Sequence, residues 1–216
     1  MKKRSIFLLT ILLSAWFLCH ADGHFVYEIG FGGGIAVGNQ NLSPWGVAYR
    51  QYYDKPTLNL NANVAYLYAD KTLVGLKYQM FTTTGDYQLS TIENIIENVT
   101  VNYIAPQIGL HYSISRYFAI NAQAGGGYMR YAGKGLNNKK EYSFYSDLIA
   151  ANADFSLEYK LNKRNSLLFN ISGVSTLYSK DLYLDIDNNK QNLNPDKWNT
   201  IKVNKVDLAL FWKIYF

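Results

Sequence analysis

The chain has 216 residues, 16% of them aromatic and only 17% charged, and its 4 Pro and 16 Gly exclude a proline-rich or polar disordered polypeptide. The formal charge is +5, but Lys2, Lys3 and Arg4 belong to an N-terminal export segment, and without them 18 basic residues face 16 acidic ones. No basic face suited to phosphate contacts stands out, which excludes a nucleic-acid binder, and no later apolar run is long enough for an ordinary membrane-spanning helix.

Met1 to Arg4 is a basic start, Ile6 to Leu18 is apolar, and Cys19-His20-Ala21 offers small residues where a signal peptidase reads. Residues 1–21 are therefore expected to be a signal peptide, cleaved before Asp22. An uncleaved anchor would need a longer run, and a lipid-modified cysteine would follow a small residue rather than Leu18. Cys19 is the only cysteine. The mature chain, residues 22–216, thus has no disulfide and no thiol chemistry.

From Phe25 onward the pattern has period two, the period of strands. The first predicted strand sets Phe25, Tyr27, Ile29, Phe31, Ile35 and Val37 against Glu28, Gly30, Gly32 and Gly34. The second sets Leu58, Leu60, Val64, Tyr66 and Tyr68 against three asparagines, and the third opposes Val74, Leu76, Tyr78 and Met80 to Lys77 and Gln79. The fourth has Ile104, Ile108, Leu110 and Tyr112 against Gln107, Gly109 and His111; the fifth, the weakest pattern, has Phe118, Ile120, Ala122 and Tyr128 against Asn121 and Gln123. In the sixth, Ile149, Phe155, Leu157 and Tyr159 oppose Asn152, Asp154, Ser156 and Glu158; in the seventh, Leu167, Phe169 and Ile171 oppose Asn170 and Ser172. The last is the cleanest: Val206, Leu208, Leu210, Trp212, Ile214 and Phe216 oppose Lys205, Asp207, Ala209, Phe211, Lys213 and Tyr215.

Tight links around Asp70-Lys71, Ser113–Arg116 and Asn162–Asn165 alternate with long polar ones near 39–56, 83–98, 133–146 and 180–200. That asymmetry predicts an all-β fold, an eight-stranded antiparallel up-and-down transmembrane barrel with short periplasmic turns and long extracellular loops. In lipid each unpaired backbone group costs several kcal/mol, so a spanning sheet must close on itself, and an even strand count returns both mature termini to the periplasm. Tyr27, Tyr66, Tyr68, Tyr112, Phe118, Tyr159, Phe169, Trp212 and Phe216 all take the outward parity close to short-turn strand ends, as an interfacial girdle would. Glu28, Lys77, Asp154, Glu158, Asp207 and Lys213 take the inward parity and should form a paired network in a narrow lumen, with Glu28 beside Lys213 where the first and last strands close the barrel.

Four local features are weighed separately. His111 and Ser113 share one parity, as a base and nucleophile would, but the predicted topology leaves them at a periplasmic turn, and an interior histidine beside a turn serine is the preferred reading. Asp185, Asp187, Asn189 and Asp196 match EF-hand spacing, yet Lys190 stands where the loop needs glycine and Asp196 is shorter than the usual glutamate. A projecting hairpin with alternating Leu182, Leu184 and Ile186 is preferred, and no metal site is expected. Ser90 and Glu93 form a capping-box pair ahead of Ile95, Ile96 and Val99, which predicts either a short helix or a loop packed on the rim. Pro106 cannot donate a ladder bond, which predicts a bulge in the fourth strand.

With Phe216 terminal and Ile214, Trp212, Leu210 and Leu208 alternating before it, and with Tyr27-Glu-Ile-Gly-Phe-Gly-Gly-Gly34 opening the first strand, the chain resembles the small outer-membrane β-barrel proteins, the family of OmpX, OmpW and the OmpA transmembrane domain. His111-Tyr112-Ser113 is also similar to the His-x-Ser of barrel-type lipid A deacylases, though Ile114 and Ser115 follow where that family has Asn and Ala. The principal resemblance covers essentially the whole mature chain and implies a bacterial outer-membrane location. It also implies outer-membrane lipids as surroundings and the barrel assembly machinery as the partner that reads the C-terminal residues. The expected role is that of a non-enzymatic surface or envelope protein without cofactor, with a side-chain-filled lumen and external loops for interaction. The alternatives are a narrow OmpW-like conduit for small or apolar solutes and a lipid A-modifying barrel enzyme.

Overall fold

A computed structural model describes residues 23–37, 57–88, 94–137, 140–187, 189–193 and 201–216. The expected signal peptide, the 39–56 link, the Ser90–Glu93 capping pair and Asp196 lie outside the described residues. Among the described residues nine strands follow in order: β1 Gly23–Ala36, β2 Thr57–Tyr68, β3 Thr72–Gln88, β4 Asn94–Ser113, β5 Phe118–Asn137, β6 Lys140–Lys160, β7 Asn165–Ile186, β8 Asn189–Asn192 and β9 Asn204–Tyr215. Consecutive strands from β1 to β7 pair antiparallel, β9 pairs with both β7 and β1, and the ring closes. Eight strands make the wall, as the alternation predicts. The ninth, β8, is a short hairpin partner of β7 beyond the end of β9.

The closing seam has Glu28 opposite Lys213 and Gly32 opposite Ala209. Strand parity is kept throughout β4, and its register with β3 and β5 does not shift at Pro106. The expected bulge is therefore absent. The β4–β5 ladder instead skips Ala105 and Pro106, which lie across from Gly126 and Gly127, so the lost donor is accommodated without an extra residue. The register shifts occur between β6 and β7, at Ser146/Leu148 and Ile149/Ala150.

Three short turns gather at one end. Lys71 N–H donates to Tyr68 C=O at 3.0 Å, and Ala69 and Asp70 both take positive φ (48° and 54°), the backbone of a twisted hairpin turn. Ser115 Oγ accepts from Tyr117 and Phe118 N–H, and Asn162 Oδ1 accepts from Arg164 and Asn165 N–H, so side chains close the other two.

The opposite end corrects two expectations. The links near 83–98 and 133–146 are largely strand: β3 runs to Gln88, β4 starts at Asn94, and β5 and β6 pair as far as Asn137 and Lys140. Ile95, Ile96 and Val99 belong to β4 rather than to a helix, because pairing on both sides gives their backbone groups partners that a short helix would have to find alone. The barrel therefore has a short-turn end and a tall end.

Candidate functional site

Strand alternation directs all six expected lumen charges inward, and each is at most 9% exposed. They fall into two layers. Nearer the short turns, Lys213 Nζ lies 2.9 Å from Glu158 and 3.5 Å from Glu28, while Tyr215 Oη and Asn121 Nδ2 donate to Glu158 at 2.5 and 3.1 Å. Asn63 Nδ2 donates to Glu28 at 2.9 Å. Higher up, Lys77 Nζ is 2.5 Å from Asp154, which also accepts from Gln107 and Asn152 at 2.6 Å. Asp207 accepts from Asn59 at 2.6 Å and Gln79 at 3.1 Å and pairs with Lys205 at 2.6 Å. Such partners offset the desolvation that a low-dielectric interior imposes on each charge.

Glu28 and Lys213 do meet, but Glu158 is the closer partner of the lysine. Lys205 belongs to the network and is missing from the six, although its parity equals that of Asp207. Above it the lumen changes character. Lys205 Nζ sits 3.8 Å over the Phe81 ring, and beyond Phe81 the interior is apolar, with Val99, Val101, Tyr103, Met129, Tyr131 and Phe144 all buried. Glu97 accepts from Tyr142 Oη at 2.5 Å within this upper cluster.

The outer face shows the complementary pattern. On β5 the outward positions are free of charge from Phe118 to Tyr128 and then charged, with Arg130 and Lys134. That band of 11 residues compares with the roughly 9–11 that a tilted strand needs to cross hydrocarbon. Apolar side chains change parity where the band ends: Met80 faces out and Phe81 in, Ile104 out and Tyr103 in, Tyr128 out and Met129 in, Ile149 out and Leu148 in. These positions are close across the sheet, since Tyr103 pairs with Met129 and Met129 with Leu148, while Phe81 pairs with Val101, two residues from Tyr103. A single line therefore crosses β3 to β6. Along it Tyr78 and Tyr128 donate to Asn102 at 2.7 Å and Asp147 at 2.5 Å, and Arg130 pairs with Asp147 at 3.3 Å.

Of the nine expected girdle aromatics, eight are exposed on the outer face: Tyr27, Tyr68, Tyr112, Phe118, Tyr159, Phe169, Trp212 and Phe216. Trp212 Nε1 also donates to Asn165. Tyr66 is the departure. Its parity is outward, yet it is only 6% exposed, because Phe25 packs edge-on at 5.2 Å and its ring lies over Gly23, which has no side chain to displace it. Leu208 and Leu210 are exposed like Trp212 and Phe216, and Ile214 is half-buried.

At the short-turn end a vestibule of about 1020 Å³ opens, lined by His111, Ser113, Arg116, Lys160, Lys163 and Arg164 among others. Ser113 Oγ is 3.3 Å from His111 Nε2 and accepts from Lys160 Nζ at 2.9 Å, while His111 Nδ1 lies 2.7 Å from Asn121 Oδ1. At the tall end Asp185 and Asp187 border a smaller cavity of about 610 Å³. Asp185 pairs across the β7–β8 hairpin with Lys190, and no cluster able to hold a metal ion occurs among the described residues. Lys190 stands over the stacked rings of Tyr145 and Tyr183, and its hydrogen bond to the Tyr145 hydroxyl raises its pKa.

The closed antiparallel wall is also found in known structures. A major outer membrane protein from Thermus thermophilus aligns over 88% of this chain and 99% of its own, with TM-score 0.54 and 12% identity. The fold is that of the outer-membrane β-barrels. The outer membrane protease OmpT from Escherichia coli aligns over 91% of this chain and 98% of its own, with TM-score 0.50 and 9% identity. Neisserial surface protein A aligns over 90% and 97%, with TM-score 0.46 and 8% identity. No family model and no curated protein matches the sequence. At these identities the likeness concerns architecture alone.

Proposed function

We propose that this chain is a bacterial outer-membrane barrel with a closed lumen, both mature termini in the periplasm and the tall end outside, serving as a non-enzymatic surface or envelope protein. The observation that carries the membrane assignment is the inverted chemistry of the wall: exposed Ile29, Phe31, Leu76, Ile108, Phe155 and Leu210 outside, buried ion pairs inside. A water-soluble barrel would bury the first set and expose the second. The filled interior favours a closed lumen over a conduit, because side chains within it partner each of the six lumen charges.

On this reading the lipids of the outer membrane surround the girdle, and the assembly machinery reads the alternating Leu208, Leu210, Trp212, Ile214 and Phe216. The tall end carries the interactions. Fractionation followed by detergent extraction tests the assignment: the protein should sediment with outer membranes and migrate faster on gels before heating than after. Recovery in the soluble periplasm would overturn it. Deleting Phe216 should reduce insertion, and normal assembly of the truncated chain would count against a C-terminal signal.

The Ser113–His111 distance of 3.3 Å favours one second reading, acyl transfer at the vestibule, with Ser113 as nucleophile, His111 as base and Asn121 orienting the ring. A serine-directed fluorophosphonate probe separates the two. Labelling lost in Ser113→Ala would support catalysis, and an unlabelled folded wild type would support the non-enzymatic reading.

A further inference from the structure

The two ends of the barrel differ in charge. At the tall end Arg130, Lys134, Lys140, Lys180, Lys190 and Lys202 are matched by Asp86, Glu141, Asp147, Asp181, Asp185 and Asp187. On the short turns and beside them Lys71, Arg116, Lys160, Lys163 and Arg164 face Asp70 and the C-terminal carboxylate. Among the described residues none of these five cations pairs with a carboxylate. Four of them line one vestibule together with Asp70, so cations are in excess there and an added anion would relieve their mutual repulsion. Two are already oriented by neighbours: Lys160 donates to Ser113, and the Arg116 guanidinium lies 4.4 Å over the Tyr117 ring.

The surroundings of this mouth are apolar on the outside. Ile114, Tyr117, Phe118, Tyr159, Leu161 and Phe216 are all exposed at the same end of the wall. Cations therefore stand at headgroup height directly beside a face suited to acyl chains. Resting on the membrane reading above, we propose that the short-turn mouth is a binding site for the headgroup of an anionic phospholipid from the leaflet it adjoins. Arg116, Lys160, Lys163 and Arg164 hold the phosphate by charge-assisted hydrogen bonds, and the chains lie against the aromatic rim. Selectivity for the anionic headgroup comes from the excess of cations over carboxylates, since a zwitterionic lipid would bring an ammonium group to an already positive site.

The test uses the full mature chain folded in mixed discs of phosphatidylcholine and phosphatidylglycerol, released and read by native mass spectrometry. With each basic group worth about 1 kcal/mol at a membrane surface, the wild type should retain phosphatidylglycerol over phosphatidylcholine by at least about tenfold. Arg116→Gln/Lys163→Gln/Arg164→Gln should bring the two lipids close to parity. Lys134→Gln/Lys140→Gln/Lys202→Gln removes as much charge from the tall end and should leave the preference intact. Parity in the wild type, or equal loss in both triple variants, would overturn the site. Displacement by free glycerol phosphate would overturn the lipid as its source. Heat-modifiable migration in pure phosphatidylcholine checks the membrane barrel independently, so its failure is distinguishable from failure of the site.

Discussion

The lower and upper halves of this barrel obey opposite rules. Below the line through Tyr103, Met129 and Leu148 the wall is apolar outside and holds the ion-paired layers inside; above it the wall carries charges outside and its largest apolar core inside. One continuous set of strands serves both. The difference lies in the surrounding medium: the lower half presents the surface that lipid requires and must hide its charges in partnered layers, whereas the upper half is built like a water-soluble sheet with its own core. The upper half is consequently a folded extension of the barrel, with β5 continuing from Met129 to Asn137 as paired strand.

The largest expected effect tests the ionic half. Lys213→Met deprives both Glu158 and Glu28 of their cation and should destabilise by about 3–5 kcal/mol in a denaturant titration of the folded protein in lipid. Glu28→Gln leaves the 2.9 Å Lys213–Glu158 pair in place and should cost clearly less. Equal costs would mean that solvent, not pairing, stabilises these charges.

Phe144 is its counterpart in the apolar half, stacked with Tyr142 at 6.1 Å and covering Gly133, where a Cβ would come within 2.2 Å of the ring. Phe144→Ala should cost about 3 kcal/mol through the cavity it leaves, with little dependence on pH or salt. Across the wall, Leu210→Lys should cost roughly 2–4 kcal/mol if Leu210 lies near the bilayer midplane, while Ala209→Ser on the inner face should be mild. Measuring both in one unfolding assay checks the face assignment, and similar values would contradict it. The smallest effect is at the β2–β3 turn. Ala69 holds φ at 48°, so Ala69→Gly should stabilise by about 1 kcal/mol or raise the unfolding midpoint correspondingly.

Period-two alternation made the lower half legible. Each outward set from Phe25 to Phe216 carries its apolar side chains at one parity, and the three tight turns are marked by Asp70-Lys71, Ser113–Arg116 and Asn162–Asn165. The upper half was harder to read because the apolar parity reverses in mid-strand. In β4 the apolar residues are odd-numbered from Ile95 to Tyr103 and even-numbered from Ile104 to Tyr112, apart from Ile96 and Ala105. A scan that follows one parity therefore loses the strand at the membrane boundary and takes 83–98 and 133–146 for loops. The same reversal, sought deliberately, would have found both the strand extensions and the boundary.

Lumen chemistry was partly legible for a related reason. Parity identifies which charges point inward but not their partners, which depend on register and shear. That Lys213 lies nearer to Glu158, on β6 two places away through β7, than to its direct neighbour Glu28 on β1 follows only from the registers on both sides of β9. Tyr66 illustrates the same limit on the outer face, where its neighbours Phe25 and Gly23 rather than its parity decide its exposure.

Single-channel recording in planar bilayers tests the closed, ion-paired lumen most directly. Refolded protein carrying the heat-modifiable shift should show no unitary conductance under an applied voltage, because the layers of Lys213–Glu158 and Lys77–Asp154 occupy the path. Discrete, reproducible open-channel currents from the folded wild type would contradict it and assign the barrel to the conduits.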